Sequence, residues 1–257
     1  MNQHKTATAG VAAFALMLIA SSSQAAGVNL VTNGSFEQMT NGVGQIGSWG
    51  VTQVTDWTAT GPGYMTVFAP GTATTGVPNG GQPLTLWGPG NGAANGLPAT
   101  SPDGGNFIAT DATYGYNNAD VTPLLSQTVN GLRVGDQYSV SFYYAGAEWY
   151  SYSSPNTLTN AWKVSLGGQT KETPILSYAS HGFSGWQQAT MTFTASSASE
   201  VLSFLAADAP SGVPPIALLD GVSMTDITPT PLPAALFFVA PALAGVFGFS
   251  RRKQVKA

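Results

Sequence analysis

Between Gly27 and Thr225 the apolar residues never settle into the 3.6-residue spacing of a packed helix, whereas period-two segments rich in Val, Thr, Tyr and Phe recur between Gly, Pro and Asn clusters. A chain with that pattern folds as β-sheet. In Gln137 to Ala145, Tyr138, Val140, Phe142 and Tyr144 share one face, and Ser139, Ser141 and Tyr143 share the other. Trp162, Val164 and Leu166 align in 161–167, and Ala189, Met191 and Phe193 oppose Thr190, Thr192 and Thr194 in 186–195. Further strands are expected at 106–110, 124–129, 200–207 and 215–224. About eight such strands without helices suit an all-β fold, a two-sheet sandwich whose inner faces cover each other.

One stretch departs from this pattern. No charged residue stands between Trp57 and Pro102, and 19 of the 45 positions from Gly61 to Gly105 are Gly or Pro. It reads as a long loop insertion, about 58–103, in a body spanning 27–226. Long loops in compact domains are mostly functional or mobile.

The two ends read as an address. Residues 1–26 carry one Lys near the start, an apolar run from Gly10 to Ala20 and small residues before a cut after Ala25 or Ala26, the pattern of a secretory signal peptide. Residues 227–257 hold a Pro-rich linker, an apolar helix at 234–249 and the basic Arg251, Arg252 and Lys253. Sixteen residues span about 24 Å as a helix, short of the roughly 30 Å hydrocarbon core of a bilayer. The basic cluster stays cytoplasmic by the positive-inside rule, leaving the body on the exported side. This short transmembrane helix, with Pro231-Leu232-Pro233 before it and Arg251-Arg252 after it, resembles the PEP-CTERM sorting signal of Gram-negative bacteria, with Leu232 where that family has Glu. The resemblance implies recognition and removal by an exosortase. It also implies transient contact with the inner membrane and a final place on the outer surface or in the extracellular matrix. An ordinary C-terminal membrane anchor is the other reading of the same residues.

With the ends set aside, only Arg133, Lys163 and Lys171 remain against all twelve acids, a net charge of −9 for the body. Such a surface repels phosphate backbones and argues against nucleic-acid partners, while it attracts divalent cations. The chain has no Cys, which excludes disulfide staples, thiolate zinc sites and thiol catalysis together.

Three segments, Asn29-Leu-Val-Thr-Asn33-Gly34-Ser-Phe36-Glu37, then Asp103-Gly-Gly-Asn106-Phe107 with LLSQTVNGLRVGDQYSVSFYYAGA, and finally Trp186 to Thr194 with ALLDGVSM, together resemble galactose-binding-like jelly rolls. That superfamily includes carbohydrate-binding modules and DUF642-like cell-wall proteins. Asn33-Gly34 supplies a turn with positive φ, after which Phe36 covers the edge of the core. Trp186 reads as a lid on that core. By this resemblance a structural Ca²⁺ links the first strand to the last through Glu37 and Asp220, hard oxygen ligands suited to that ion. The same acids serve equally well as turn caps or solvated charges, and Gly221 stands where the family often has a second Asp or Asn. The loop 111–120 offers Asp111, Asn117, Asn118 and Asp120 without EF-hand spacing.

Catalysis finds little support. In the body His181 is the sole His, HGFSGW lacks the last Gly of a nucleophile elbow, and the twelve acids are scattered singly. A glycosidase needs only two carboxylates, which spacing does not exclude. The aromatic inventory points elsewhere. Sugar rings have apolar faces that stack on flat side chains, with amides or carboxylates at hand for their hydroxyls. Trp49, Trp57 and Trp87 flank or lie in the insertion, Tyr114 and Tyr116 occupy the Asn-rich loop, Trp149, Tyr150 and Tyr152 follow the Gln137 strand, and Tyr143 faces outward from it. Asn117, Asn118, Asp120, Glu148 and Asn156 are polar candidates beside them. The expectation is a non-catalytic exported protein that binds exopolysaccharide through Trp49, Trp87, Tyr114, Tyr116, Tyr143, Trp149, Tyr150 and Tyr152. A structural matrix or adhesion protein without sugar binding, or a polysaccharide hydrolase, are the alternatives.

Overall fold

A computed structural model describes residues 27–61, 63–75, 84–112, 124–207 and 215–229. The residues expected as signal peptide and as sorting signal, and Tyr114 and Tyr116, therefore lie outside the described residues. Gly27–Thr228 is one compact unit. Among the described residues it contains twelve strands: β1 Gln45–Ile46, β2 Thr58–Thr60, β3 Met65–Phe68, β4 Phe107–Asp111, β5 Leu124–Asn130, β6 Gln137–Glu148, β7 Leu158–Leu166, β8 Gln169–Glu172, β9 Leu176–Tyr178, β10 Gln187–Thr194, β11 Ser199–Ala207 and β12 Pro215–Asp226. The first sheet runs β1-β3-β4-β12-β6-β10 and the second β2-β5-β11-β7-β8, with β9 beside β7. Every pairing is antiparallel. The fold is all-β, two antiparallel sheets face to face in a jelly-roll sandwich.

The inner faces carry the residues that alternation assigns to them. Tyr138, Val140, Phe142 and Tyr144 of β6, Trp162, Val164 and Leu166 of β7, and Met191 and Phe193 of β10 are all buried in one cluster. Phe204 lies at its centre, edge-on to Phe142 at 5.2 Å and to Trp162 at 6.2 Å. Polar side chains tie sheet to sheet through this core. The Trp162 indole N–H donates to the Leu218 carbonyl at 3.1 Å, Asn160 Nδ2 to the Ile216 carbonyl at 3.2 Å, and the Tyr178 hydroxyl to the Ala147 carbonyl at 2.9 Å.

The opening segment closes one edge of the sandwich. Asn33 takes the expected left-handed conformation at φ +48°, and its side chain bonds the Gln38 N–H and the Gln38 and Thr55 carbonyls. Gly34 is needed for another reason: a Cβ there would meet the Val222 carbonyl oxygen at 1.9 Å. Phe36 is fully buried, with its ring 5.5 Å from Trp57. Trp57, a candidate for stacking on a sugar, is thereby a core residue whose indole N–H donates to the Asn33 carbonyl at 3.0 Å.

The first sheet is buried on its outer side too. All five residues of β4, the six from Pro215 to Asp220 in β12 and the five from Tyr144 to Glu148 in β6 are buried. Their outer side chains belong to a second cluster: Phe107, Ala109, Ala145, Ala147, Ile216 and Leu218 pack under Ala73, Leu84, Leu86 and Leu97. The stretch expected as loop from 58 thus begins with two strands, β2 and β3, and its later part lies down as a cover. Two bridges fasten the layer, Leu86 with Trp149 and Ala147 with Phe183. Trp186, half-buried against Phe107 at 5.7 Å, helps roof this second cluster.

Leu86 is fully buried at the joint between cover and sheet. Leu86→Ala is expected to cost about 2–5 kcal/mol, the range for a core leucine truncated into a cavity. Exposed Val134→Ala, on a turn, should stay within about 0.5 kcal/mol. Urea unfolding of both variants checks the contrast; equal midpoints would mean that the cover is not part of the cooperative unit.

Candidate functional site

β6 extends past the sandwich core and ends at Glu148, and three segments meet there. Residues 84–87 come from the cover, 149–154 continue β6, and 179–186 follow β9. Tyr150 N–H donates to the Thr85 carbonyl at 2.7 Å, Trp87 N–H to the Glu148 carbonyl at 2.9 Å, and the Trp87 indole N–H to the Tyr152 carbonyl at 2.8 Å. Asn95 Nδ2 donates to the Trp87 and His181 carbonyls, each at 2.9 Å. These bonds bring a set of rings together at one end of the molecule. Trp87 stacks on His181 with centroids 3.8 Å apart and planes 26° from parallel, and Tyr150 leans on Trp87 at 4.5 Å. Tyr152 packs at 5.3 Å from Trp149, which is itself edge-on to Tyr64 at 4.9 Å.

The rim has a buried floor and an exposed top. Trp149 is buried and its indole nitrogen has no hydrogen-bond partner among the described residues, whereas Tyr150 and Tyr152 are 43% and 42% exposed and Trp87 is half-buried. Four candidates, Trp87, Trp149, Tyr150 and Tyr152, therefore converge, with Trp149 as support rather than contact surface. Tyr143 does not join them. It stands six residues earlier on β6, about 20 Å away at strand rise, on the outer face beside Asp103 and Gly221. Trp49 is placed only by its backbone, in the 3₁₀ turn Gly47–Trp49. Of the proposed polar partners, Glu148 is fully buried beneath the rim.

His181 is the member that sequence reasoning missed. Its Nε2 shares a hydrogen bond of 2.8 Å with Ser153 Oγ, a pairing 28 residues apart in the chain. The Glu148 carboxyl takes the backbone N–H of His181 rather than the ring, so Ser153, His181 and Glu148 do not form a proton relay. His181 also holds φ +58°, unusual for a residue with a side chain, and that is the one local sign that it is placed deliberately.

The carboxylates expected to bind a cation occupy the outer face of the first sheet. A bulge in β12 between Asp220 and Ser223 sets Asp220. It is fully buried; Oδ2 accepts the Ser101 hydroxyl, while Oδ1 has no hydrogen-bond partner among the described residues. Burial pushes its carboxyl up to about 8; the Ser101 and Gly221 hydrogen bonds oppose this, and the charges of Asp103 and Glu37 add to it. Glu37 lies across Gly105, its Oε1 accepting the Asn106 N–H at 2.5 Å, and Asp103 Oδ2 accepts the Ser35 hydroxyl at 2.5 Å. Oxygen-only donors and an orphaned oxygen fit a hard cation. Among the described residues, no three His, Cys, Asp or Glu side chains are arranged to hold a metal by themselves, so such an ion would also need backbone or water oxygens.

Asp220 gives stability a pH dependence. Its folded value near 8 lies above the unfolded value of about 3.9, so the native state holds a proton that the unfolded chain releases. The stabilisation is complete below about pH 4 and is lost as pH rises to about 8. In chelator, the melting temperature should fall across that window, and Asp220→Asn should flatten the slope; a wild-type slope in the variant would acquit Asp220.

No family model matches the chain, and no curated protein matches it. Solved structures do. TmCBM61, in complex with β-1,4-galactotriose, is 14% identical, with 77% of this chain and 99% of that one covered, at a TM-score of 0.39. The CBM22-1 xylan-binding domain of Paenibacillus barcinonensis Xyn10C is 13% identical, with 81% and 100% covered, at 0.40. The enzymatically active domain of bacteriophage CBA120 tailspike protein 4 is 15% identical, with 77% of this chain but 21% of that chain covered, at 0.36. At these identities and scores, no ligand and no site residue passes from any of them to this chain.

Proposed function

We propose that the protein binds polysaccharide, without catalysis, through the rim formed by Trp87, Tyr150, Tyr152 and His181. The observation that carries this reading is the combination of exposed phenols and a fixed indole at a place where the chain has no need of them for its core. The two hydrophobic clusters account for burial elsewhere, yet these rings project from the end of the sandwich on hydrogen-bonded loops. Flat apolar rings beside hydroxyl and imidazole groups are the chemistry that a sugar ring asks for. Ser153 and His181 supply the polar part.

Charge narrows the class of glycan. All three bases of the body lie in the β5–β6 turn, β7 and β8, none in the rim segments, and the net charge is −9. Neutral chains are therefore favoured over uronate or sulfate polymers. The same proposal includes export by the N-terminal segment, exosortase sorting through Pro231-Leu232-Pro233 with Arg251 and Arg252, and the producer's own exopolysaccharide as the partner. Ca²⁺ held by Glu37 and Asp220 would be structural, since these groups stand apart from the rim; it would offset the mutual repulsion of the carboxylates and satisfy Asp220 Oδ1.

Two measurements test the reading. In affinity electrophoresis through galactan, xylan or mixed-linkage glucan, the wild type should be retarded by at least one polymer and Trp87→Ala should bind about tenfold more weakly, a loss of about 1.4 kcal/mol. Tyr143→Ala should migrate like wild type, and polygalacturonate should not retard the protein at low salt. Retardation of Trp87→Ala equal to that of wild type would move binding away from the rim, and a wild type that no polymer retards would leave the matrix-protein alternative in its place. For the metal, EDTA should lower the melting temperature at pH 8 and Ca²⁺ restore it; the absence of any shift removes the ion.

A further inference from the structure

Glu148 is the last residue of β6 and is fully buried, an expensive place for a carboxyl unless its oxygens are met. They are met from two different loops. Oε1 accepts the Ser154 backbone N–H at 2.7 Å; Oε2 accepts the Ser180 hydroxyl at 3.1 Å and the backbone N–H of His181. Through its main chain the same residue holds a third segment, its carbonyl accepting the Trp87 N–H at 2.9 Å. One residue therefore touches every segment that carries a ring of the rim. At His181 the carboxyl bonds the very N–H whose residue sits in the left-handed region, so that strained conformation has a specific anchor.

We propose that Glu148 is the positioning residue of the aromatic rim: its carboxyl fastens the 150–154 and 179–181 loops together, setting His181 against Trp87 before any glycan arrives. Its consequence for binding rests on the glycan reading above; its consequence for the order of the rim does not. The side chain has to be a carboxylate because two backbone donors reach it from opposite loops. An amide has one acceptor oxygen and would aim its NH₂ group at one of those N–H groups. A platform assembled in advance spares the ligand the ordering cost of two loops, so losing it shows as weaker binding.

The test compares Glu148→Gln, Ser180→Ala and Trp87→Ala with wild type as full chains. Amide exchange is read at Ser154 and His181 against β5 and β11, the near-UV circular dichroism reports the Trp87–His181 stack, and gel retardation is read in galactan, xylan and mixed-linkage glucan. Glu148→Gln should speed exchange at Ser154 and His181 about tenfold or more with β5 and β11 unchanged, flatten the indole band and weaken retardation about tenfold. Ser180→Ala, which removes one donor and keeps the carboxyl, should shift the same readouts less. Wild-type exchange and dichroism in Glu148→Gln would overturn the assignment. Should that variant lose β5 and β11 protection as well, Ser180→Ala decides, and unchanged rim amides there overturn it. If Glu148→Gln loosens the rim but no polymer retards the wild type, the glycan reading falls and the positioning role stands. If Trp87→Ala abolishes retardation while Glu148→Gln binds and exchanges like wild type, the reverse holds.

Discussion

Where the second half of β6 meets the start of β12, the first sheet is apolar on both faces, and most of the architecture follows from the need to cover it twice. β12 and the second half of β6 pack inward against the second sheet through Ala217, Leu219 and Tyr144, and outward against the cover through Ile216, Leu218, Ala145 and Ala147. A one-sided antiparallel sheet can leave its back to water. This one cannot, and the described residues 69–75 and 84–106, poor in regular structure, become a wall instead of a loose excursion. Asn91 shows how a segment with few strands meets its backbone needs. Its side chain donates to the Leu86 carbonyl at 2.7 Å and to the Thr74 carbonyl at 3.2 Å, and accepts the Gly88 N–H at 2.9 Å.

The rim is the upper margin of that second layer. Where the cover meets the end of β6, rings that began as packing groups reach the surface, from buried Trp149 through half-buried Trp87 to exposed Tyr150. Rigidity there is inherited from the fold. Trp87 is fixed by its ring N–H, its main-chain N–H and its main-chain carbonyl, each to a different residue, and so loses little freedom on meeting a ligand. The carboxyl group of Asp220 belongs to a separate region, where the chain tolerates a buried acid beside a bulge.

Alternation made the sandwich legible. Tyr138 to Tyr144 and Trp162 to Leu166 point as a period of two requires, and the seven longer strands from β4 onward begin and end within a few residues of their expected places. The short ones, β8 with QTKE and β9 with LSY, have too few apolar residues to show a period. The second layer was hidden because a strand buried on both faces has no alternation to read. Small residues were its one trace: Ala145, Gly146 and Ala147 let neighbours approach, and a Cβ on Gly146 would sit 2.3 Å from the Tyr178 ring. Trp87, Tyr150 and Tyr152 were named from composition in loops, but their meeting with His181 is tertiary, made by Asn95 and Glu148 across 86 and 33 positions.

β6 also joins two ends of the sandwich. It starts where Gln137 N–H donates to Thr228 Oγ1 and ends beneath the rim, so Thr228 and the aromatic rings lie at opposite poles of this strand, about 35–40 Å along it at strand rise. Tension applied between those poles runs parallel to β6 and β12 and across their ladder. Such a geometry loads the ladder in shear, with many hydrogen bonds sharing the force at once, and spares it the sequential peeling that begins when two strands are drawn apart from one end.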